Sequence, residues 1–73
     1  MISLEYAQTR RELLTLEGSL AGYERQYQMS SRDFHQRFHA GELGDSADYF
    51  EWSALYDMAQ TLRRRLDALE SEP

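Results

Sequence analysis

The stretch DFHQRFHAGELGDSADYFEW, residues 33–52, holds both histidines of the chain, a series of carboxylates and a dense group of aromatic rings. It is either a site built for chemistry or the elbow between two helices, and the order of its residues favours the elbow. Phe34 and Phe38 are four apart, so they share one face of a short helix. Gly41 follows where a helix commonly ends in the left-handed conformation. Glu42-Leu43-Gly44 reads as a tight turn with Leu43 as a buried plug. Asp45 then stands where the next helix needs an N-cap, and Asp48 and Glu51 fall in its first turns, where the positive helix end favours negative charge.

On the N-terminal side, Met29-Ser30-Ser31-Arg32-Asp33-Phe34 reads as a helix start. Ser30 can cap, Asp33 takes the third position of a capping box, and Met29 can staple onto Phe34. Upstream, Ile2, Tyr6, Thr9, Leu13, Leu16, Leu20, Tyr23 and Tyr27 recur in alternating steps of four and three, the spacing of one helix face. Gly18 and Gly22 interrupt that helix at about 1 kcal/mol each relative to alanine. With Ser19 and Ala21 they leave a low-profile patch that another backbone or a bulky ring can approach. On the C-terminal side, Trp52, Leu55, Ala59, Leu62, Leu66 and Leu69 form a second stripe, and Arg63, Arg64 and Arg65 lie toward the helix end that favours cations.

The expected fold is therefore all-α, a single helical-hairpin domain over residues 1–73 with helices at about 2–28, 31–40 and 46–70. The short linker forces the two long helices antiparallel, and Ser71-Glu72-Pro73 is expected to fray. Leu4, Leu14, Tyr56 and Met58 fall off the main seams, and one hairpin cannot cover them all. Two hairpins forming a homodimeric four-helix bundle are the expected completion. The chain length points the same way. A 73-residue chain buries only roughly 60% of its unfolded surface, and without cysteines or a zinc-finger spacing neither disulfides nor a structural zinc is expected to staple it.

Composition excludes several functions. No run of apolar residues is long enough to span a membrane, and MISLEYAQTRRELL lacks the basic start and continuous apolar core of a signal peptide, so a cytoplasmic protein is the expectation. The net charge is −5, which argues against a nucleic-acid binder. All eight basic residues are arginine, a bias that genomic base composition explains. A hairpin gathers Arg10, Arg11, Arg63, Arg64 and Arg65 at one end, but Glu5, Glu12, Glu17, Asp67, Glu70 and Glu72 meet them there, and the end is a mixed, solvated surface.

Catalysis has little to stand on. There is no glycine-rich phosphate loop and no pairing of nucleophile with base, and the carboxylates of the elbow are explained by helix capping. His35 and His39, spaced i, i+4, are weak candidates for zinc or nickel, needing a third ligand such as Glu42 or Asp45. The expectation is no catalytic residue, no cofactor and no resident metal. The aromatics say more. Tyr23, Tyr27, Phe34, Phe38, Tyr49, Phe50, Trp52 and Tyr56 converge at the elbow, and the angular spread of the last four leaves at least one ring at the surface, where aromatics anchor protein interfaces. Asp45, Asp48, Glu51, Trp52 and Tyr56 are accordingly the candidate partner-binding residues.

The run Tyr27-x-Met29-Ser30-Ser31-x-x-Phe34-x-x-x-Phe38-x-x-Gly41-Glu42-Leu43-Gly44-Asp45, followed by Asp48-Tyr49-Phe50-Glu51-Trp52-x-x-Leu55-Tyr56, resembles small bacterial all-helical proteins of the antitoxin type, encoded beside a small toxin gene. The resemblance covers the middle of the chain. It implies a cytoplasmic, non-enzymatic protein that neutralises a toxin by binding it, and it assigns no catalytic residues. No helix-turn-helix or ribbon-type DNA-binding segment is present, so direct occlusion of the toxin is the mechanism it leaves. A self-associating scaffold whose only partner is itself is the alternative.

Overall fold

A computed structural model describes residues 3–71 and contains three helices: α1 (Leu4–Tyr27), α2 (Ser31–His39) and α3 (Ala47–Glu70). The expected stripe residue Ile2 and the expected fraying of Glu72 and Pro73 lie outside the described residues. α1 and α3 have 24 residues each, a length of roughly 36 Å at 1.5 Å per residue, and the molecule is elongated at 45 × 21 × 17 Å. The long helices are antiparallel. Near the open end the Tyr6 hydroxyl donates to Glu70, and near the elbow the Tyr27 hydroxyl donates to Asp48.

The seam follows the two stripes. Leu13 and Leu20 of α1 are buried against Ala59, Leu66 and Trp52 of α3, and Phe34 enters from α2. Phe34 and Trp52 are both 0% exposed, with ring centroids 3.8 Å apart and planes within 3° of parallel. Tyr23 and Tyr27 stack on the same indole at 5.5 and 5.6 Å. These rings close the elbow end of a hairpin whose other end is closed by leucines. Leu43 is half-buried against this cluster, a partial plug.

Each helix end has a local cause. Ser30 caps α2 by accepting from the Asp33 amide at 3.0 Å, as the sequence predicts. Gly41 takes φ 76° and closes α2, with its own amide on the Phe38 carbonyl and the Glu42 amide on the Arg37 carbonyl, the paired bonds of a Schellman ending. Ser3 caps α1, accepting from the Tyr6 amide at 3.0 Å. The α3 cap corrects the sequence reading. Ser46, not Asp45, accepts from the Asp48 amide at 3.2 Å, and Asp45 is left exposed in the turn. Both residue types cap well, and the helix begins at Ala47, one residue later than Asp45 could serve. Ser71, expected to fray, is the C-cap of α3, its hydroxyl donating to the Asp67 carbonyl at 2.8 Å.

α1 ends less comfortably. Gln28 sits in the left-handed region at φ 55°, ψ 48°, where a residue with a Cβ pays roughly 1–2 kcal/mol. Its side-chain amide donates to the Arg25 carbonyl at 2.7 Å, which offsets part of that cost. Gln28→Gly is expected to raise stability by about 0.5–1 kcal/mol, after the greater freedom of glycine in the unfolded chain is subtracted. Urea unfolding monitored by circular dichroism checks this, and an unchanged midpoint would mean that the side-chain bond already cancels the strain.

Candidate functional site

The elbow is held by a relay through Ser31. Its backbone amide donates to the Glu24 carboxylate at 2.8 Å, so a side chain from α1 satisfies one of the free amides at the start of α2. Its hydroxyl accepts from the indole Nε1–H of Trp52 at 2.8 Å, a fully buried bond. One serine therefore ties all three helices together. The sequence pointed to Ser30 as a cap but gave no sign of this role for Ser31, because Glu24 and Trp52 meet it only after the chain has turned.

A second set of bonds runs along the hairpin. The hydroxyls of Tyr23 and Tyr27 donate to Glu51 at 2.7 Å and to Asp48 at 2.5 Å, repeating the Tyr6–Glu70 pairing of the far end. The hydrogen bond to Glu51 comes first among the causes that push the Tyr23 hydroxyl up to about 12, followed by desolvation and the charges of Glu51 and Asp48. Tyr27 is raised mainly by its bond to Asp48, and Tyr6 by its bond to Glu70. In the unfolded chain these groups ionise near 10. A raised pKa stabilises the fold fully below that value, and the contribution is lost as pH rises toward about 12. The thermal midpoint is expected to fall between about pH 10 and about pH 12, and Tyr23→Phe to flatten that fall. A profile identical for Tyr23→Phe and the parent would remove Tyr23 from the alkaline transition.

These bonds divide the candidate partner-binding residues. Trp52 is wholly buried and offers a partner no surface, which corrects its assignment as a contact: its ring is consumed by Phe34, Tyr23 and Tyr27. Tyr56 turns toward α2, half-buried, with its ring 4.7 Å from that of His35. Asp45 is exposed in the turn. Asp48 and Glu51 lie together on the opposite side of the hairpin from α2, in a groove with Ser19, Gly22, Tyr23, Gln26 and Leu55. The ring left at the surface is Phe50, 58% exposed, with its edge against Phe38 at 5.4 Å.

A second groove lies further along the hairpin. On α1 the sequence 12, 15, 16, 19, 22, 23, 26 and on α3 the sequence 48, 51, 55, 58, 62 advance in the steps of a single helical face. This open groove of ≈ 570 Å³ is lined by Glu12, Thr15, Leu16, Met58, Thr61 and Leu62, and it reaches round to Asp57, which also meets His35 of α2. Met58 is 53% exposed there. The lining residues of the two stretches include Glu12, Asp48, Glu51 and Asp57 and no arginine. Further along the same row Arg65 is paired with Glu5 at 3.7 Å. Gly22 opens directly into the first groove, and a methyl group placed on it, or on Gly18, would touch nothing in the hairpin. The glycines therefore do not serve packing within the chain.

The two histidines lie on the other side, where α2 meets α3. Their rings are 4.2 Å apart, His35 Nε2 lies 3.0 Å from Asp57 Oδ1, and His39 Nε2 lies 3.4 Å from the Ser53 hydroxyl. Of the third ligands considered from sequence, Glu42 and Asp45, neither joins them. Asp57 does, and potential ligand atoms of His35, His39 and Asp57 all lie within 4.8 Å of one another.

No described helix is long and apolar enough to cross a membrane. No known protein family matches the chain, nor does any curated protein or solved structure.

Proposed function

We propose that the chain is a non-enzymatic protein-binding module that takes a basic, apolar-faced helix of a cytoplasmic partner into the groove opposite α2, as an antitoxin would in neutralising a toxin. The observation that carries this reading is the chemistry of the groove. Leu16, Leu55, Met58 and Leu62 supply an apolar floor, Gly22 leaves room for close approach, and Glu12, Asp48 and Glu51 supply negative charge with no arginine among the lining residues. Helix-in-groove recognition uses such a stripe for affinity, and the acids select a partner carrying arginine or lysine. Asp48 and Glu51 each accept one tyrosine hydroxyl, and a carboxylate has further lone pairs for a guanidinium. Toxins that act on nucleic acid carry basic faces of this kind, which agrees with the antitoxin-like pattern of residues 27–56.

Self-association into a four-helix bundle, with the chain acting as a scaffold, is the second reading. It is favoured by Leu4 and Leu14, 73% and 58% exposed on α1. A copy seated in the groove would set its acids against those of its neighbour, so like charges count against that mode of pairing. The deciding experiment is co-purification of the chain with the product of the adjacent gene, with growth measured when each is expressed alone and together. A complex, and growth arrest relieved by this chain, supports the antitoxin reading. A harmless neighbour, no complex, and a homodimer by solution mass would favour the scaffold.

A further inference from the structure

The geometry points to a site for a borderline divalent metal ion of the zinc class at the junction of α2 and α3, formed by His35, His39 and Asp57. Asp57 also borders the apolar groove, but the three side chains stand together whether or not a partner occupies it. The two imidazoles share one face of α2 by their i, i+4 spacing, with ring centroids 4.2 Å apart. Asp57 enters from α3 and reaches His35 Nε2 at 3.0 Å. Ligand atoms of all three lie within 4.8 Å of one another. Zinc bonds of about 2.0–2.2 Å in tetrahedral geometry set neighbouring ligand atoms at roughly 3.3–3.5 Å, so side-chain torsions alone can close the set. The adjustment falls to the exposed side chains of His39 and Asp57, the latter 62% exposed, while that of His35 is more enclosed at 27%.

Two nitrogens and one carboxylate oxygen suit zinc, and also nickel or cobalt, better than magnesium or calcium, which favour all-oxygen sites. Three protein ligands leave a fourth position for water. The His35–Asp57 contact accounts for two of the residues by itself. The placement of His39 is what turns a paired histidine into a three-ligand cluster, since its ring lies against His35 and its hydrogen-bond contact among the described residues is the Ser53 hydroxyl at a long 3.4 Å. A bound ion would clamp α2 onto α3 across the elbow, and so stabilise the folded hairpin over the unfolded chain.

The test is titration of the full chain with zinc by calorimetry, with cobalt absorption as a probe of geometry and the thermal midpoint as a second readout. The expected result is one ion per chain and a midpoint that rises with zinc and falls back with chelator. His35→Ala, His39→Ala and Asp57→Asn are each expected to lower affinity by at least about tenfold, a loss that removal of an outer-shell partner already reaches. His39 and Asp57 are exposed, so those two variants keep the hairpin and circular dichroism can verify it. Full affinity in Asp57→Asn would reduce the site to a bare surface histidine pair and overturn the proposal. No zinc-dependent change in the parent chain would overturn it as well.

Discussion

Trp52→Ala is expected to remove a large part of the stability of the folded hairpin. Truncating a buried tryptophan costs about 3–5 kcal/mol, and a domain of this length has a total stability of roughly 4–11 kcal/mol at 0.05–0.15 kcal/mol per residue. The upper part of the expected range applies here, because the indole is 0% exposed and packs Tyr23 and Tyr27 of α1 and Phe34 of α2 at once. Its loss also frees the Ser31 hydroxyl that joins α2 to the core. Ser31→Ala separates the two effects. It keeps every ring and the amide bond to Glu24 but leaves Nε1–H buried without an acceptor, at about 1–3 kcal/mol. Urea unfolding followed by circular dichroism should therefore give a cooperative, modestly shifted transition for Ser31→Ala and a much lower midpoint for Trp52→Ala. A Trp52→Ala midpoint close to that of the parent would mean that the ring cluster is not the core of the elbow.

The architecture was legible because the chain states it twice in different terms. Alternating steps of three and four mark both long helices, and Ser30 and Gly41 mark the short one with side-chain and backbone chemistry local to it. The points that were not legible share a physical cause. Ser46 and Asp45 are both good caps, and only the helix start at Ala47 chooses between them. Gln28 carries no glycine-like signal for its left-handed conformation, which is imposed by the turn into α2. Ser31, Glu24 and Trp52 form their relay only once all three helices are in place.

The candidate site was legible to a smaller degree. The angular spread of Tyr49, Phe50, Trp52 and Tyr56 correctly required an exposed ring, and the structure identifies it as Phe50. The same spread separates Asp48 and Glu51 from Tyr56, since residues 48, 51 and 55 run along one side of α3 and residues 49, 52 and 56 along another. Grouping them by proximity in sequence overlooked that division. Asp57 was not available as a third ligand because it follows His39 by 18 residues in sequence, and only the packing of α2 on α3 brings it to His35.

Met58→Glu is expected to weaken partner binding by roughly 30-fold or more while leaving the hairpin intact. The side chain is 53% exposed and stands in the apolar stretch of the groove with Leu16 and Leu62. A surface substitution of this kind usually changes stability by no more than about 0.5 kcal/mol. An apolar anchor at the centre of an interface is worth about 2 kcal/mol or more, and every 1.4 kcal/mol is about tenfold in affinity. Gly22→Ala makes the complementary demand. It is expected to stabilise the free helix by about 1 kcal/mol, since alanine is the better helix former and its methyl meets open space, yet to weaken the complex by narrowing the groove. A variant that is more stable alone and weaker in the complex cannot be explained by unfolding. Calorimetric titration of the co-purified partner against parent, Met58→Glu and Gly22→Ala chains reads both effects. If neither substitution changes affinity, the partner does not use the face opposite α2, and the exposed stretch around Phe50 and Asp45 becomes the surface to alter next.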